Sequence, residues 1–392
     1  MGNQKTKLLF RLRSMETGGV QKVLLNILHN LDRSKFEIYL LLNLYQGKLL
    51  ADIPKDIKVG YIGKGREFMS KNPFIKKIQL IIRRAKLTIM NKFPYLLYNK
   101  LGINHQDVEI AFVHYNFLEI LNSPNKKSKK IGWMHGDIRN IDIRGNKEKF
   151  VSCFLKFDKM VYVSKQTLES AKTINNEVLV NAEVIHNPLN VEEIIAKSSE
   201  EIKNTISSSK TDHIKSFISI GRIHPGKGYQ LLLEVHKKLI EEGFYHKIYI
   251  IGEGYFRTEL ENKIKEYKLN QTFIFLGEKE NPYPYIKKTD YFVLPSFSEA
   301  YPLVIAESLI LQKPIITTEV GGIREMMTDQ NGLFVQSKNE EELYNAMKLF
   351  IKNDMQLFAE NNKKCRELFN PYKIYRKIEN FLLDISKNES PS

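Results

Sequence analysis

Ser296-Phe297-Ser298-Glu299-Ala300-Tyr301-Pro302-Leu303-Val304-Ile305-Ala306-Glu307-Ser308 is the stretch that decides how this chain is interpreted. It follows a predicted apolar strand, Asp290 to Leu294, and Pro302 suits the first turn of a helix. A helix N-terminus offers free N–H groups and the positive end of a dipole, which favour an anion such as a diphosphate. Glu299, before the helix, is placed to accept sugar hydroxyls, and Glu307 to reach a second hydroxyl pair. The spacing predicts a nucleotide-sugar site.

An alternative interpretation of the two glutamates is chance, because surface helices are rich in Glu. The residues around them argue against it, since nearly all are apolar: Tyr301, Leu303, Val304, Ile305, Ala306, Leu309, Ile310 and Leu311. A helix this apolar is mostly buried, and buried carboxylates need partners.

Strands alternate with helices along the whole chain, which predicts parallel, doubly wound sheets. In the N-terminal half, strands are predicted at Lys7 to Leu12, Phe36 to Leu42, Ile57 to Ile62, Glu109 to Val113, Lys130 to Met134, Lys159 to Val163 and Val184 to His186. In the C-terminal half they are predicted at Phe217 to Gly221, Lys247 to Gly252, Thr272 to Leu276, Tyr291 to Leu294, Ile315 to Thr317 and Leu333 to Val335.

A polar segment, Asn190 to Lys215, separates the two halves and is interpreted as the crossover between domains. We therefore expect an N-terminal domain over residues 1–189, a C-terminal domain over 190–370, and a final helix and tail over 371–392. Open α/β sheets bind ligands at the carboxyl ends of their strands, so each candidate site should follow a strand.

Composition limits the function classes. The chain has 392 residues and a formal net charge of +15, which suggests an anionic partner. Its two cysteines, Cys153 and Cys365, imply no disulfide framework and fit a reducing cytoplasm. Neither a secretory signal nor an apolar run of membrane-spanning length is expected from the sequence.

The turn after the first C-terminal strand, Gly221-Arg222-Ile223-His224-Pro225-Gly226-Lys227-Gly228, places two cations five residues apart on a glycine-rich loop. Such a loop lets the backbone approach a ligand while Arg222 and Lys227 clamp a diphosphate, although exposed basic turns are also common. Two further strand ends carry Gly252-Glu253 and Leu276. The third glycine of a dinucleotide fingerprint is missing, so no nicotinamide cofactor is expected.

Two strand ends of the N-terminal half also carry candidate residues. Gly18 and Gly19 follow the first strand, where a glycine pair more often marks only a tight turn. His135 and Asp137 follow the strand that ends at Met134. A lone histidine is more often structural than catalytic. Neither an Asp-x-Asp metal signature nor a Cys/His cluster with zinc spacing occurs in the sequence.

These motifs together resemble the retaining family 4 glycosyltransferases of the GT-B fold. The resemblance rests on the E-x7-E pair, on Gly221-Arg222 with Lys227-Gly228, on Pro314-Ile315-Ile316 and on Gly321-Gly322 followed by Glu325. It implies an α/β architecture of two doubly wound, Rossmann-like domains facing a cleft, with a C-terminal helix returning toward the N-terminal domain. The chain departs from the family at Ala300 and Gln312, where glycine is usual, and at Gln21, where glutamate is frequent.

The resemblance implies transfer of a sugar from a nucleotide-diphosphate donor, with UDP-sugars favoured, to a glycan or lipid-linked acceptor with retention of configuration. It assigns catalysis to Glu299, His135, Arg222 and Lys227, and acceptor binding to Asp137. It assigns donor binding to Gly18, Gly19, Gly221, Arg222, Lys227, Gly252, Glu253, Leu276, Glu299, Ala300, Tyr301, Leu303, Val304 and Glu307. It implies neither a cofactor nor a metal, because the cations and the helix N-terminus stabilise the leaving group.

Two rival functions remain open at this point. A nucleotide-sugar epimerase of the same fold would need no acceptor. A basic nucleic-acid-binding protein would interleave Lys and Arg with aromatics on a recognisable module, which the sequence lacks. We therefore expect no nucleic-acid partner.

The segment 73–93 predicts a membrane contact. Phe74, Ile78, Ile81, Ala85 and Ile89 recur at helical spacing, and the flanking residues are basic: Lys76, Lys77, Arg83, Arg84 and Lys86. Such a helix can lie in the headgroup layer of an anionic membrane. The alternative is an ordinary domain helix whose apolar stripe packs on the sheet. The scarcity of acids from Lys64 to Lys100 favours the membrane, and hence a peripheral position on the inner face of the plasma membrane.

Overall fold

The computed structural model describes residues 5–141, 143, 146–202 and 214–387. The chain divides into two units: unit 1 holds the described residues up to Pro188 and those from Tyr372 onward, and unit 2 runs from Leu189 to Pro371.

Unit 1 contains a parallel sheet of seven strands in the order β3-β2-β1-β4-β5-β6-β7. The strands are β1 Thr6–Leu12, β2 Phe36–Tyr45, β3 Lys58–Lys64, β4 Val108–Ala111, β5 Lys129–Met134, β6 Lys159–Tyr162 and β7 Ala182–Val184. The helices are α1 Gly19–Asn30, α2 Pro73–Lys92, α3 Pro94–Leu101, α4 Phe117–Leu121, α5 Lys147–Ser152 and α6 Lys165–Lys172. Leu8, Leu9 and Phe10 of the central strand are fully buried, because helices cover both faces of a parallel sheet.

Unit 2 contains a parallel sheet of six strands in the order β10-β9-β8-β11-β12-β13. The strands are β8 Lys215–Ile220, β9 His246–Ile251, β10 Phe273–Gly277, β11 Tyr291–Leu294, β12 Ile315–Thr318 and β13 Gly332–Val335. The helices are α7 Val191–Lys197, α8 Tyr229–Glu241, α9 Arg257–Glu266, α10 Tyr283–Lys288, α11 Leu303–Ile310, α12 Glu340–Lys352, α13 Gln356–Asn362 and α14 Cys365–Leu368.

The last helix, α15 (Pro371–Lys387), packs within unit 1 from Tyr372 onward. The Glu379 carboxylate accepts hydrogen bonds from the Asp32 amide at 2.9 Å and from Lys35 Nζ at 2.7 Å. Ile378 and Leu382 are fully buried on the same helix. The expected return of the C-terminal helix to the N-terminal half is therefore confirmed.

Two details differ from the sequence-based expectation. The segment predicted as a polar crossover begins with a helix, α7, because Asn190 accepts a hydrogen bond from the Glu193 amide and Ile194 is buried. Residues 203–213 of the same segment lie outside the described residues. Pro302 stands one position before α11 rather than in its first turn, in an extended conformation, so Ala300 and Tyr301 belong to the preceding loop.

Candidate functional site

The strand order places a site in each unit. In both sheets the order reverses next to the first strand, between β1 and β4 in unit 1 and between β8 and β11 in unit 2. Ligands of open α/β sheets bind at such a switch point, beyond the carboxyl ends of the strands. The loops that follow these four strands contain most of the residues singled out from the sequence.

An ion pair bridges the switch point of unit 2. Lys227, in the loop after β8, places its Nζ 2.5 Å from Oε1 of Glu299, in the loop after β11. The two side chains are 17% and 11% exposed, so both charges are largely withdrawn from water. The residues that the sequence assigned to the diphosphate and to the sugar therefore lie side by side.

Close backbone packing holds the two loops together. The Phe297 amide donates to the Gly226 carbonyl at 2.8 Å. Gly228 has a φ of +70°, and a Cβ there would lie 2.0 Å from the Pro295 carbonyl oxygen, so only glycine fits. Gly252, after β9, is equally close to the loop after β8, since its Cβ would lie 2.0 Å from the Gly221 carbonyl oxygen.

α11 begins at Leu303, shortly after Glu299 in the chain. Among the described residues no side chain caps this helix, and none of its first-turn residues is acidic. Leu303 and Val304 of that turn are half-buried. The site thus offers Lys227 together with the positive end of a helix, which suits a diphosphate. Arg222 is exposed on the same loop as Lys227 and forms no ion pair or hydrogen bond with the described residues.

Glu307 lies further along α11, and its side chain is buried. Tyr283 of α10 donates its hydroxyl to Oε1 of Glu307 at 3.3 Å. Burial, reinforced by the charge of Glu307, raises the pKa of the Tyr283 hydroxyl well above its ordinary value, so it stays a donor. Sequence reasoning missed Tyr283, because nothing in the spacing of α10 indicates that it faces α11.

The remaining predicted donor residues of unit 2 have ordinary surroundings. Tyr301 is buried, and burial raises the pKa of its hydroxyl. Leu276 is half-buried in β10. Glu253 pairs with Arg257 one helical turn away and is half exposed. Donor contact by Glu253 stays a prediction.

The carboxyl edge of unit 1 has different chemistry. Gly18 and Gly19 begin α1, whose N-terminus has no capping side chain and no acid in its first turn. His135 packs against Trp133, with the rings nearly parallel and their centroids 6.3 Å apart. Its Nε2 is buried and has no hydrogen-bond partner among the described residues. Burial lowers the pKa of His135 to about 3, so the ring is neutral at pH 7.

Asp137 has its carboxylate already engaged. It accepts the amide of Arg139 at 2.9 Å and forms an ion pair with the Arg139 guanidinium. Asp137 is buried and Arg139 is exposed. The Asp137–Arg139 pair closes the turn after β5, and acceptor contact by Asp137 stays a prediction.

The helix predicted to contact a membrane forms as α2, and its predicted stripe faces outward. Phe74 is 73% exposed, Ile81 59% and Ile89 46%. Ile78 and Ala85 are also exposed, as are Ile75 and Ile82, which the predicted stripe did not include. Leu87 and Met90, on the opposite side, pack on the core beneath β2 and β3. The alternative in which the stripe packs on the sheet is therefore wrong.

The basic residues of α2 divide between its two sides. Lys76, Lys77 and Arg84 are exposed. Arg83 and Lys86 are half-buried, and burial lowers the pKa of both. Arg83 donates to the Lys64 carbonyl at 3.3 Å, so it fastens α2 to β3 rather than flanking the exposed stripe. Within the part of the chain that the structure describes, no helix is both long and apolar enough to cross a membrane.

The chain is similar to known glycosyltransferases. The family model for glycosyl transferases group 1 matches residues 173–367. An N-acetylgalactosamine-N,N'-diacetylbacillosaminyl-diphospho-undecaprenol 4-alpha-N-acetylgalactosaminyltransferase of Campylobacter jejuni is 27% identical, over 96% of this chain and 99% of its own length.

Solved structures show the same architecture. The HepE protein of Anabaena, in complex with UDP and glucose, has a TM-score of 0.73 at 16% identity, covering 96% of this chain and 99% of its own. The lipopolysaccharide outer core galactosyltransferase WaaB has a TM-score of 0.68 at 17% identity, covering 97% and 99%. Residues 173–367 of this chain therefore form a glycosyl transferases group 1 domain, and the chain has the GT-B fold.

Proposed function

We propose that this glycosyltransferase moves a sugar from a nucleotide-diphosphate donor, in particular a UDP-sugar, to a lipid-linked glycan with retention of anomeric configuration. The observation that carries the proposal is the Lys227–Glu299 pair beside the uncapped N-terminus of α11. It combines a cation and free amides for a diphosphate with a carboxylate for sugar hydroxyls. The solved HepE complex supports a UDP donor, and the name of the Campylobacter relative describes a diphospho-undecaprenol acceptor.

The leaving group sets the main catalytic need. When the bond from the anomeric carbon to the diphosphate breaks, negative charge develops on the phosphate oxygen. Lys227, Arg222 and the α11 amides stabilise that charge in a partly dry site, where electrostatic interactions are strongest. Because these groups supply the positive charge, the reaction needs no metal ion.

When the donor binds, the Lys227–Glu299 ion pair is replaced by stronger contacts between each of these side chains and the donor. The diphosphate takes Lys227, and the hydroxyls of the transferred sugar take Glu299. Glu307, held by Tyr283, accepts the hydroxyls of the nucleotide ribose. The nucleophile arrives on the face that the diphosphate leaves, and the departing phosphate oxygen accepts its proton, which preserves the anomeric configuration.

A nucleotide-sugar panel tests the proposal. Release of nucleoside diphosphate is measured for UDP-, GDP- and ADP-sugars, with and without an undecaprenyl-diphosphate-linked saccharide, in EDTA and in magnesium. We expect acceptor-dependent UDP release that persists in EDTA, and an α-linked product by NMR. Loss of turnover in EDTA, restored by magnesium or manganese, would contradict the metal-free mechanism. Donor conversion without an acceptor would favour the epimerase.

We further propose that α2 places the enzyme on an anionic lipid surface. The exposed stripe supplies apolar area for the headgroup layer, and Lys76, Lys77 and Arg84 face water beside it. Each basic residue near an anionic leaflet contributes about 1 kcal/mol, and this falls off within a Debye length. A lipid-linked acceptor would be presented at that surface.

Co-sedimentation with phosphatidylglycerol vesicles measures this contact. We expect the double variant Lys76→Glu/Lys77→Glu, and separately Ile78→Ser/Ile81→Ser, to release the protein from the vesicles. The matched control is Lys126→Glu/Lys127→Glu, an exposed lysine pair of the same unit outside α2. Equal binding by all variants, or no binding by the wild type at low salt, would contradict the proposal.

A further inference from the structure

A cavity in unit 1 lies between the last helix, α15, and the β6–β7 edge of the sheet. Its volume is about 500 Å³, and its lining includes Lys159 of β6 and Glu183 of β7. Lys159 is the first residue of its strand, so it lies at the end opposite to the loops that contain the candidate site. The glycosyl transfer proposed above uses no residue of this cavity.

The register of the two strands places charged side chains on the face of the sheet that borders α15. Glu183 is the register partner of Val161, and Lys159 precedes Val161 by two residues. Side chains alternate between the two faces of a sheet, so Lys159 and Glu183 project from the same face. Both are half-buried. This part of the sheet therefore offers α15 two charged groups in place of an apolar surface.

The cavity contains more positive than negative charge. It is lined by four cations and two carboxylates: Lys159, Lys373, Arg376 and Lys377, and Glu183 and Asp384. Lys377 satisfies Glu183 at 2.9 Å and also donates to the Val184 carbonyl at 2.7 Å. The side chains of Lys159, Lys373 and Arg376 form no ion pair or hydrogen bond with any other described residue. Three cations of the cavity are therefore free to bind an anion.

The position of the cations on α15 also favours an anion. Lys373 stands in the first turn of the helix, which contains no acidic residue. The N-terminus of a helix is the positive end of its dipole, so a cation there is destabilising and an anion is stabilising. Lys373, Arg376 and Lys377 are three and four residues apart, a spacing at which like charges on a helix repel each other. A bound anion would relieve both effects.

The rest of the lining suits the organic part of a small molecule. Phe381 is half-buried and Ile385 is buried, and Asn380 adds an amide that can donate and accept hydrogen bonds. Cavities of about 300–1,000 Å³ with apolar walls and a few polar groups are typical of small-molecule sites. Arg and Lys bind phosphate oxygens through charge-assisted hydrogen bonds, which are stronger than neutral ones.

We propose that this cavity binds a phosphorylated small molecule, whose phosphate is held by Lys159, Lys373 and Arg376 and whose organic part packs on Phe381. The phosphate of a lipid headgroup has the same chemistry. The apolar residues here are recessed, in contrast to the exposed stripe of α2, and this favours a soluble compound over a lipid surface. The site is independent of the proposed glycosyl transfer.

Calorimetric titration with phenyl phosphate, in the presence of saturating UDP, tests the site. UDP occupies the diphosphate-binding groups proposed for unit 2, so that the titration measures binding elsewhere. We expect Lys373→Glu/Arg376→Glu to raise the Kd about tenfold or more, the loss expected for one or two charge-assisted hydrogen bonds. Arg376→Gln, which removes one charge without reversing it, should weaken binding in the same direction. The matched control is Lys363→Glu/Lys364→Glu, an exposed lysine pair of unit 2.

A second comparison tests the role of Phe381. Phenyl phosphate should bind more tightly than inorganic phosphate, because its ring packs on Phe381, and Phe381→Ala should remove that difference. No binding of phenyl phosphate to the wild type would overturn the proposal. Equal binding by Lys373→Glu/Arg376→Glu, Arg376→Gln and the control would also overturn it, because the ligand would then lie elsewhere.

Vesicle binding separates the soluble ligand from a lipid headgroup. Co-sedimentation with phosphatidylglycerol vesicles is measured for Lys373→Glu/Arg376→Glu and for the control, which carries the same change of charge. We expect the two variants to bind vesicles equally. Weaker vesicle binding by Lys373→Glu/Arg376→Glu than by the control, with no binding of phenyl phosphate to the wild type, would assign the cavity to a lipid headgroup and overturn the small-molecule site.

Discussion

The two sheets reverse their strand order at equivalent points, but the residues at their carboxyl edges have opposite chemistry. In unit 2 the switch point carries opposite charges that satisfy each other, Lys227 and Glu299. In unit 1 it carries two neutral imidazoles, His114 and His135, whose Nε2 atoms have no hydrogen-bond partner among the described residues. The strand order therefore indicates where each unit would bind a ligand, and the residue types in the loops indicate which chemistry would suit that ligand. A paired charge suits a ligand with both a phosphate and hydroxyls, whereas neutral imidazoles suit hydroxyls alone.

Removing the cations of unit 2 should have the largest effect. We expect Lys227→Ala and Arg222→Ala each to lower kcat/KM by a factor equivalent to about 2–4 kcal/mol of transition-state stabilisation, by analogy with the loss of one oxyanion donor. Lys227→Ala should be the more damaging, because it also leaves Glu299 without its partner. Steady-state kinetics measure this, with Lys237→Ala on α8 as the control. Normal turnover in the double variant would remove the diphosphate assignment.

The two glutamates of unit 2 should separate by kinetic parameter. We place Glu299 at the sugar, where geometry changes during reaction, so Glu299→Gln should lower kcat by a factor equivalent to about 2–3 kcal/mol. We place Glu307 at the ribose, where binding is nearly uniform, so Glu307→Gln should chiefly raise the donor KM. Steady-state kinetics with varied donor distinguish them. A mainly kcat effect from Glu307→Gln, with Glu299→Gln nearly silent, would reverse the assignment.

Acid should lower the free energy of unfolding of unit 2 through two buried histidines, which lie at the edge of the sheet opposite the candidate site. His246 bonds the Phe244 carbonyl through Nδ1 at 2.8 Å, and its Nε2 meets Nδ1 of His236 at 2.8 Å, both rings being fully buried. The chain continues from Nε2 of His236 to the Thr272 hydroxyl at 2.9 Å, which donates to the Leu269 carbonyl. A further proton would place a positive charge on a buried ring, away from water, and burial disfavours that charge.

The sign of the pH dependence follows from the depressed pKa. Burial lowers the pKa of His246 to about 4, below its unfolded value of about 6.5, so the unfolded chain binds the extra proton first. The free energy of unfolding is unaffected above about pH 6.5 and falls as the pH drops toward 4. The loss from His246 alone should reach about 2 kcal/mol at pH 5. Urea unfolding at pH 7.5 and 5 checks this, and NMR titration of His246 above pH 6 would refute it.

Substitution of two glycines with similar backbone conformations should have the smallest effects on stability and turnover. Gly228 in unit 2 and Gly102 in unit 1 have nearly equal φ angles, +70° and +65°. A Cβ on Gly102 meets nothing within 4 Å, whereas on Gly228 it would collide with Pro295. We expect Gly102→Ala to cost only the left-handed strain, about 1–2 kcal/mol, and to leave turnover intact. Gly228→Ala should cost more and also lower turnover, because it separates the loops of Lys227 and Glu299. Equal effects in unfolding and kinetics would show that the loop contact is unimportant.

The fold was largely predictable from the sequence. Every predicted strand is present within a few residues, because short apolar runs alternating with amphipathic helices leave a doubly wound parallel sheet as the natural arrangement. The start of the crossover was harder: α7 forms because Ile194 finds a buried position, and burial depends on contacts distant in sequence.

The site residues that belong to a sequence motif were predictable, whereas those that are placed only by packing were not. Lys227 and Glu299 stand out because glycines and strand ends surround them, although their pairing across 72 positions is visible only in three dimensions. Tyr283 and His114 have no motif. Their surroundings depend on packing, since Tyr283 of α10 contacts Glu307 of α11, and Nε2 of His114 is buried with no hydrogen-bond partner among the described residues.

The Lys227–Glu299 ion pair of unit 2 also bears on product release. In the proposed mechanism, Glu299 competes with the diphosphate for Lys227 and stops competing only while sugar hydroxyls occupy it. Once the sugar has been transferred, the carboxylate would be free to pair again with the ammonium and so to displace the nucleoside diphosphate. We therefore expect the intact donor to bind more tightly than the spent nucleotide, and product inhibition to be weak.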